Sequence, residues 1–188
     1  MVEVNTNLDT DEEEIDRDQY LVFVIKTQEF GIQAMRVQEI TAMMDVAEVP
    51  NAPVHIQGIL NLRGRLVSVI NFRRWFGFVE KEMDEDTRVI IMEHAGFPVG
   101  VIVDSVEEVI RIPAQKVQQI PMSITSSLPE GYMLGVGLID NRLIILLDAE
   151  RVLSTSEVVE PDAFDRVIDD LQAKGAGEEE ASTPLQGG

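Results

Sequence analysis

The amino-acid sequence predicts an all-β protein with minor helix. The first observation is a period of two in the apolar residues across most of residues 19–153. The second is that turn signals recur at spacings too short for crossover helices, which predicts mainly antiparallel sheets. The third is that the extended segments are rich in valine, isoleucine and leucine, which favour strands.

The pattern divides into ten short strands and three short helical turns. The predicted strands are residues 20–26, 30–33, 37–41, 58–62, 66–71, 88–94, 99–104, 108–112, 133–139 and 143–147. The helical turns are expected near 53–57, 72–76 and 149–153. Ten strands exceed what one small barrel uses, and a second series begins after the charged run at 80–86. We therefore expect two packed barrels with a boundary near 80–87, and a single larger sandwich is the alternative.

Composition limits the class of protein. The chain of 188 residues is 45% apolar, which is enough for a packed core. It contains no cysteine, which excludes disulfides and thiolate metal sites, and a cytoplasmic location is the simplest interpretation. Its N-terminus has no basic segment followed by an apolar stretch, and no apolar run approaches the roughly 20 residues that span a bilayer. We expect no direct membrane insertion.

The net charge of −19 is concentrated at the two ends of the chain. Residues 1–18 hold eight acidic residues and one basic, and residues 154–188 hold nine acidic and two basic. Residues 19–153 are therefore only mildly acidic. Nucleic-acid binding needs a cationic surface, and no basic stripe interleaved with aromatic residues occurs in the sequence. We expect no nucleic-acid partner.

The terminal segments have too few apolar side chains to offset the entropy lost on ordering. We therefore predict disorder for residues 1–17 and 175–188. Between them, residues 160–174 have the pattern of an amphipathic helix. Its apolar positions share one helical face, and they are Phe164, Val167, Ile168 and Leu171. We expect this helix to dock on its own domain, because the apolar stripe of a helix is usually buried against the rest of the same protein. Docking on a partner is the alternative.

The stretch 58–71 consists of two alternating apolar runs around Arg63-Gly64-Arg65. It is typical of two strands joined by a tight turn, in which Gly64 supplies the positive φ. The side chains of Arg63 and Arg65 are then expected to project outward. The spacing also predicts that Leu60, Leu62 and Leu66 share one face of the hairpin. A solvated turn without a partner is the alternative for the two arginines.

Several further motifs occur in a fixed order along the chain. They are Tyr20-Leu21-Val22-Phe23, Phe30-Gly31-Ile32, Val37-Gln38-Glu39-Ile40, the stretch from Gly58 to Arg65, the stretch from Gly100 to Val106, Gly135 before Asp140, and the stretch from Arg142 to Asp148. Taken together, this ordered set resembles the CheW-type chemotaxis coupling proteins over about residues 19–153. The resemblance implies one domain at 18–155, built from two five-stranded SH3-like barrels around a shared core. It also implies a protein without catalytic activity, and we expect no cofactor.

The resemblance also implies a function. Proteins of this family link the cytoplasmic tips of methyl-accepting chemoreceptors to the regulatory domain of the CheA histidine kinase, in arrays at the membrane. It places Val37, Glu39 and Arg63 in the region that contacts receptor and kinase. Val37 and Glu39 lie two residues apart on one predicted strand, so we expect their side chains to share a face. The alternatives are a core position for Val37 and a simple intramolecular ion pair between Glu39 and Arg63.

Other positions of the same motifs are expected to serve turns or structure. They are Gly58, Asn61, Gly64, Gly100 and Asp104. We therefore expect substitutions there to act through the fold.

The sequence offers no catalytic or metal-binding constellation. With only His55 and His94 and no cysteine, a nucleophilic triad has few candidates. Gly135-Val136-Gly137 lacks the third glycine of a dinucleotide fingerprint, and the acidic run 84–86 lacks the spacing of a calcium loop. An alternative function is a β-barrel that binds a small ligand or peptide outside chemotaxis, because fold does not fix function. An enzyme would require a polar pocket with a perturbed acid or base.

Overall fold

The computed structural model describes residues 17–125 and 131–154, together with residues 166, 169, 170, 172 and 173. Those last five residues are helical and exposed. The four apolar positions predicted for one face of the helix at 160–174 lie outside the described residues. The same holds for the two segments predicted to be disordered, except for Arg17.

Residues 19–125 and 131–154 form twelve strands and three short helices. The strands are β1 (Gln19–Ile25), β2 (Gln28–Gln33), β3 (Val37–Ala42), β4 (Val46–Ala47), β5 (Ile56–Leu62), β6 (Arg65–Asn71), β7 (Arg88–His94), β8 (Phe97–Val103), β9 (Ser105–Arg111), β10 (Val117–Gln118), β11 (Met133–Ile139) and β12 (Arg142–Leu147). The helices are α1 (Phe72–Trp75), α2 (Met122–Thr125) and α3 (Ala149–Ser154), and single 3-10 turns occupy Ala34–Arg36 and Ala114–Lys116.

Each of the ten predicted strands is present. The structure adds β4 and β10, which are two residues long and too short to give a periodic signal. The helical turn predicted near 53–57 is wrong: a single turn closed by the hydrogen bond from Ile56 N to Pro53 O leads directly into β5. The turns predicted near 72–76 and 149–153 correspond to α1 and α3.

The strands form two six-stranded sheets, which confirms the all-β class. The terminal sheet has the order β10-β11-β12-β2-β1-β9, and the central sheet has the order β3-β7-β8-β6-β5-β4. Most neighbours are antiparallel, as predicted. Two pairs are parallel, β12 with β2 and β6 with β8, and they join strands that are distant in sequence.

The predicted boundary near 80–87 is wrong. The chain passes from the terminal sheet to the central sheet between β2 and β3, and it returns at Asp104 between β8 and β9. Residues 80–87 instead connect α1 to β7, and the strands on both sides of this connection belong to the central sheet. The cause is the parallel pairing of β2 with β12, which takes the N-terminal hairpin into the sheet of the C-terminal strands.

The apolar core confirms two barrel units around a shared interior. One cluster fills the central barrel and includes Leu60, Val67 and Val89, and a smaller one fills the terminal barrel. The largest cluster lies between the two sheets and draws residues from both. Its aromatic centre is formed partly by α1, whose Phe72 and Trp75 are fully buried. Burial of aromatic side chains from both sheets stabilises the relative placement of the two barrels.

Candidate partner-binding site

The hairpin between β5 and β6 projects Arg63 from the central sheet. Leu62 pairs with Arg65, so the connection has two residues, Arg63 with φ 54° and Gly64 with φ 85°. Positive φ at both positions matches the type I′ turn that fits the twist of adjacent strands. The Asn61 Oδ1 accepts a hydrogen bond of 2.7 Å from Gly64 N and so closes the turn. The turn therefore holds Arg63 in a defined position.

Arg63 forms an ion pair with Glu39. The distance from Arg63 Nη2 to Glu39 Oε1 is 2.8 Å, and the side chains are 79% and 32% exposed. Exposed pairs of this kind contribute about 0–1 kcal/mol to stability, because solvent screens the charges. Most of the guanidinium faces solvent and can donate further hydrogen bonds to a partner. The intramolecular pair named as an alternative is thus present, and it orients a cation at the surface.

Val37 and Glu39 lie on the edge strand β3, which pairs with β7. Val37 pairs with Met92 and Glu39 pairs with Ile91, so one extra residue of β3 is accommodated by a bulge. Met92 belongs to the shared core and Ile91 to the core of the central barrel. The expectation that Val37 and Glu39 share a face is therefore wrong. Val37 packs against the shared core and is half-buried, whereas Glu39 turns towards the Arg63 hairpin.

Two glycines let the backbone and side chains approach closely behind the hairpin. Gly58 has φ 148°, and a Cβ there would lie 2.2 Å from Ala47 O on the neighbouring strand β4. A Cβ at Gly100 would lie 2.8 Å from Val89 Cγ1, inside the core of the central barrel. Both positions are therefore structural supports of the sheet that carries the site. Gly64 differs from them because no atom of the described residues lies within 4 Å of its Cβ position.

Asp104 lies where the chain returns to the terminal sheet. Its Oδ2 accepts a 2.7 Å hydrogen bond from Lys26 N in the β1–β2 turn, and its carboxylate also pairs with Arg73 of α1. Asp104 thus connects the terminal sheet with the helix that enters the shared core. Its contribution is to the relative placement of the two sheets.

An exposed apolar pair beside the hairpin was not predicted. Leu66 is 70% exposed and Phe97 is 72% exposed. Ser68 of β6 pairs with Val99 of the parallel strand β8, so the same register places Leu66 beside Phe97 two residues earlier. We call this pair, on the outer face of the central sheet, the Leu66–Phe97 patch. It lies next to the Arg63 turn.

The expectation that Leu66 shares a face with Leu60 and Leu62 is wrong. Leu60 pairs with Val67, and both are buried in the central barrel. The two-residue turn therefore directs Val67 and Val69 of β6 inward and Leu66 outward. The signal that could have identified Leu66 as exposed is the length of the turn: two residues place Leu62 opposite Arg65.

The two histidines lie in different surroundings. His55 is 3% exposed, and burial lowers the pKa of its imidazole, which favours the neutral form. His94 is half-buried at the end of β7 and lines a cleft of about 150 Å³ with Arg36, Glu150 and Leu153. No group of three histidines or carboxylates with the geometry of a metal site occurs in the described parts of the chain. Within the same residues, no helix has the length and apolarity needed to cross a membrane.

Comparison with known proteins gives a consistent family. Residues 19–157 match the CheW-like domain. The chemotaxis protein CheW of Klebsiella aerogenes is 34% identical over 140 residues, which cover 74% of this chain and 84% of that protein. The chemotaxis protein CheW of Bacillus subtilis is 29% identical over 144 residues, which cover 76% and 92% of the two chains.

A solved structure is also similar to this chain. The scaffolding protein CheW of Thermoanaerobacter tengcongensis superposes with a TM-score of 0.67 at 27% identity, and the similarity covers 74% of this chain and 94% of that one. Residues 19–157, which match the family, contain both sheets, the Arg63 hairpin and the Asp104 crossing. The sequence match, the relatives and the two-barrel fold together establish that this chain belongs to the CheW-like family.

Proposed function

We propose that this chain is a non-catalytic coupling protein that links the cytoplasmic tips of methyl-accepting chemoreceptors to the regulatory domain of the CheA histidine kinase. The family supports a role in chemotaxis signalling, and its solved relative is described as a scaffolding protein. In this proposal the protein acts in the cytoplasm, is recruited to membrane-associated receptor arrays, and uses neither a cofactor nor a metal.

The observation that carries the proposal is the exposed Arg63 held by Glu39 beside an apolar patch. A receptor tip is a helical hairpin, and a helix that packs on a surface needs an apolar contact rimmed by a few charges. Leu66 supplies exposed apolar area next to Arg63, and Val37 lies half-buried on the same edge of the central sheet as Glu39. Arginine is well suited to such a rim because its planar fork donates several hydrogen bonds.

The ion pair of Arg63 with Glu39 is also a good candidate for a partner contact, because the fold does not depend on it. A surface ion pair contributes about 0–1 kcal/mol, whereas a central contact of an interface typically costs about 2 kcal/mol or more when truncated. Arg63 is therefore expected to matter for association and to matter little for folding. Val37 and Glu39 are expected to contribute to the same contact, Val37 partly through packing on the shared core.

The proposal is tested by measuring the affinity of the protein for a receptor-tip fragment and for the CheA regulatory domain. We expect Arg63→Ala to weaken at least one of the two affinities about tenfold, which corresponds to about 1.4 kcal/mol. Arg111→Ala is the matched control, because Arg111 is an exposed arginine that pairs with Asp18 at 3.7 Å on the terminal sheet. The control is expected to bind as the wild type does.

Thermal unfolding of each variant shows whether it is folded. Equal weakening in Arg63→Ala and Arg111→Ala, or unfolding of Arg63→Ala, would contradict the role of Arg63. If the folded wild type binds neither cognate partner, the coupling function is contradicted and a barrel with another ligand or peptide is favoured.

A further inference from the structure

We infer that the segment 160–174 of this chain docks on the Leu66–Phe97 patch and shields it when no partner is bound. The patch is the exposed end of an apolar face that is otherwise buried. On β6, Ile70 follows Leu66 on the same face and belongs to the shared core, and on β8, Val101 follows Phe97 in the same way. The outer face of the central sheet thus leads from the core to the exposed pair, with the exposed Ser68 between Ile70 and Leu66 on β6.

The patch has the size of a single helix contact. Neighbouring strands lie about 4.8 Å apart, so Leu66 and Phe97 present a continuous surface across two strands. Residues 161–174 would form a helix of about 21 Å. Its apolar positions Phe164, Ile168 and Leu171 follow the spacing of one helix face, so one stripe can cover both exposed side chains.

The chain leaves the folded body close to the patch. Helix α3 ends at Ser154, and its Leu153 lines the same small cleft as His94 and Ala95 of the β7–β8 turn. His94 pairs with Phe97, so the end of α3 lies near the strand ends that carry the patch. Residues 155–160 can span up to about 20 Å, which lets the segment reach the patch without rearrangement of the barrels.

Charge favours this occupant. Residues 160–174 contain five acidic residues and two basic ones. The hairpin beside Leu66 carries two exposed arginines, Arg63 and Arg65. An acidic helix on the patch would be attracted by these cations, and the attraction weakens with salt. A second acidic copy of the whole chain would be repelled by its net charge of −19.

Docking of this segment would cover Leu66 and part of the surroundings of Arg63. If the proposed coupling function holds, the segment and a partner compete for the same surface, and the segment reduces partner affinity. This consequence rests on the proposed function, but docking itself does not. Docking is therefore tested on the protein without any partner.

The absence of native cysteine allows a direct test by disulfide formation. Ser68→Cys lies exposed on the outer face of β6 between Leu66 and Ile70, and Gln172→Cys follows Leu171. We expect the full chain with both substitutions to form an intramolecular disulfide roughly tenfold faster than the control pair Val109→Cys and Gln172→Cys, because docking raises the local concentration. Val109 is also an exposed strand residue, but it lies on the terminal sheet, so the control pair places the first cysteine away from the patch.

Adding Ile168→Asp to the first pair is expected to remove the difference in rate, because it disrupts the apolar stripe. Equal rates in the two cysteine pairs overturn the inference. A disulfide that forms only between two chains, seen as a dimer on a non-reducing gel, overturns it in favour of a second copy.

A second measurement needs no cysteine. Hydroxyl-radical labelling of Phe97 is compared between the wild type and full-length Ile168→Asp. We expect labelling to rise about twofold or more in the variant, because an uncovered ring is fully accessible. Labelling of Val109 serves as the internal control and is expected to stay constant. Unchanged labelling of Phe97 overturns the inference.

Discussion

The carboxylate of Asp104 accepts two hydrogen bonds from the guanidinium of Arg73, at 2.7 Å from Nε to Oδ1 and 2.5 Å from Nη2 to Oδ2. The two side chains are 15% and 16% exposed, so the pair is largely shielded from water. Arg73 lies on α1, which packs in the shared core, and Asp104 lies at the return of the chain to the terminal sheet. This bidentate ion pair therefore helps to fix the placement of the two sheets relative to each other.

Asp104→Asn is expected to lower the free energy of unfolding by about 2 kcal/mol, because it leaves the guanidinium of Arg73 without its charged partner in a shielded site. Urea unfolding followed by circular dichroism measures this change. The matched control is Asp18→Asn, which removes the partner of the exposed Arg111 and is expected to cost about 0.5 kcal/mol or less. Equal losses in the two variants would show that Asp104 has no special role.

The glycines at the hairpin allow a second prediction. Gly58→Ala is expected to cost about 3 kcal/mol or more, because the new Cβ would meet Ala47 O at 2.2 Å and the residue holds φ 148°. Gly64→Ala is expected to cost only about 1 kcal/mol, since it has the penalty of positive φ but open space around its Cβ. Melting temperatures of both variants test the order. A larger loss in Gly64→Ala would contradict the role assigned to the contact between β4 and β5.

Leucines 60 and 66 provide a test of the hairpin register. Leu60→Ala is expected to lower the free energy of unfolding by about 2–5 kcal/mol, because Leu60 is buried in the central barrel. Leu66→Ala removes the same atoms from an exposed position and is expected to change it by about 0.5 kcal/mol or less. Urea unfolding of the two variants under one set of conditions measures the difference. Similar losses at both positions would contradict the outward orientation of Leu66.

The local features of the site could be predicted from the sequence, because they depend on residues that are close together along the chain. The turn at Arg63-Gly64 follows from a glycine between two alternating runs, and the apolar runs predict their strands. The exposure of Leu66 was missed, because it depends on which residues pair across the turn. A shift of one position in pairing moves every side chain to the other face.

The features that depend on distant pairing were not predictable from local patterns. The parallel contact of β2 with β12 joins segments more than 110 residues apart, as the pairing of Phe30 with Ile145 shows. This contact decides which strands share a sheet, and it made the boundary near 80–87 wrong. The bulge that separates the faces of Val37 and Glu39 likewise depends on the register with β7. Periodicity along one strand contains no information about its neighbour.

Burial of His55 makes the stability of the fold depend on pH. The imidazole is 3% exposed, its Nδ1 has no hydrogen-bond partner among the residues that the structure describes, and burial lowers its pKa. Because the folded-state pKa lies below that of the unfolded chain, the unfolded state binds the proton more readily. The stability linked to His55 is fully present above the unfolded pKa of about 6.5, and it is lost as the pH falls from there towards the folded pKa.

We therefore expect the free energy of unfolding to decrease between pH 7 and pH 5, with a smaller dependence in His55→Gln than in the wild type. Urea unfolding at pH 7, 6 and 5 measures the slope of this dependence. His94→Gln is the matched control, because it makes the same substitution at the other histidine, which is half-buried at the end of β7. A wild-type slope that His55→Gln does not alter would show that other groups, such as the carboxylates paired with arginine, determine the response to acid.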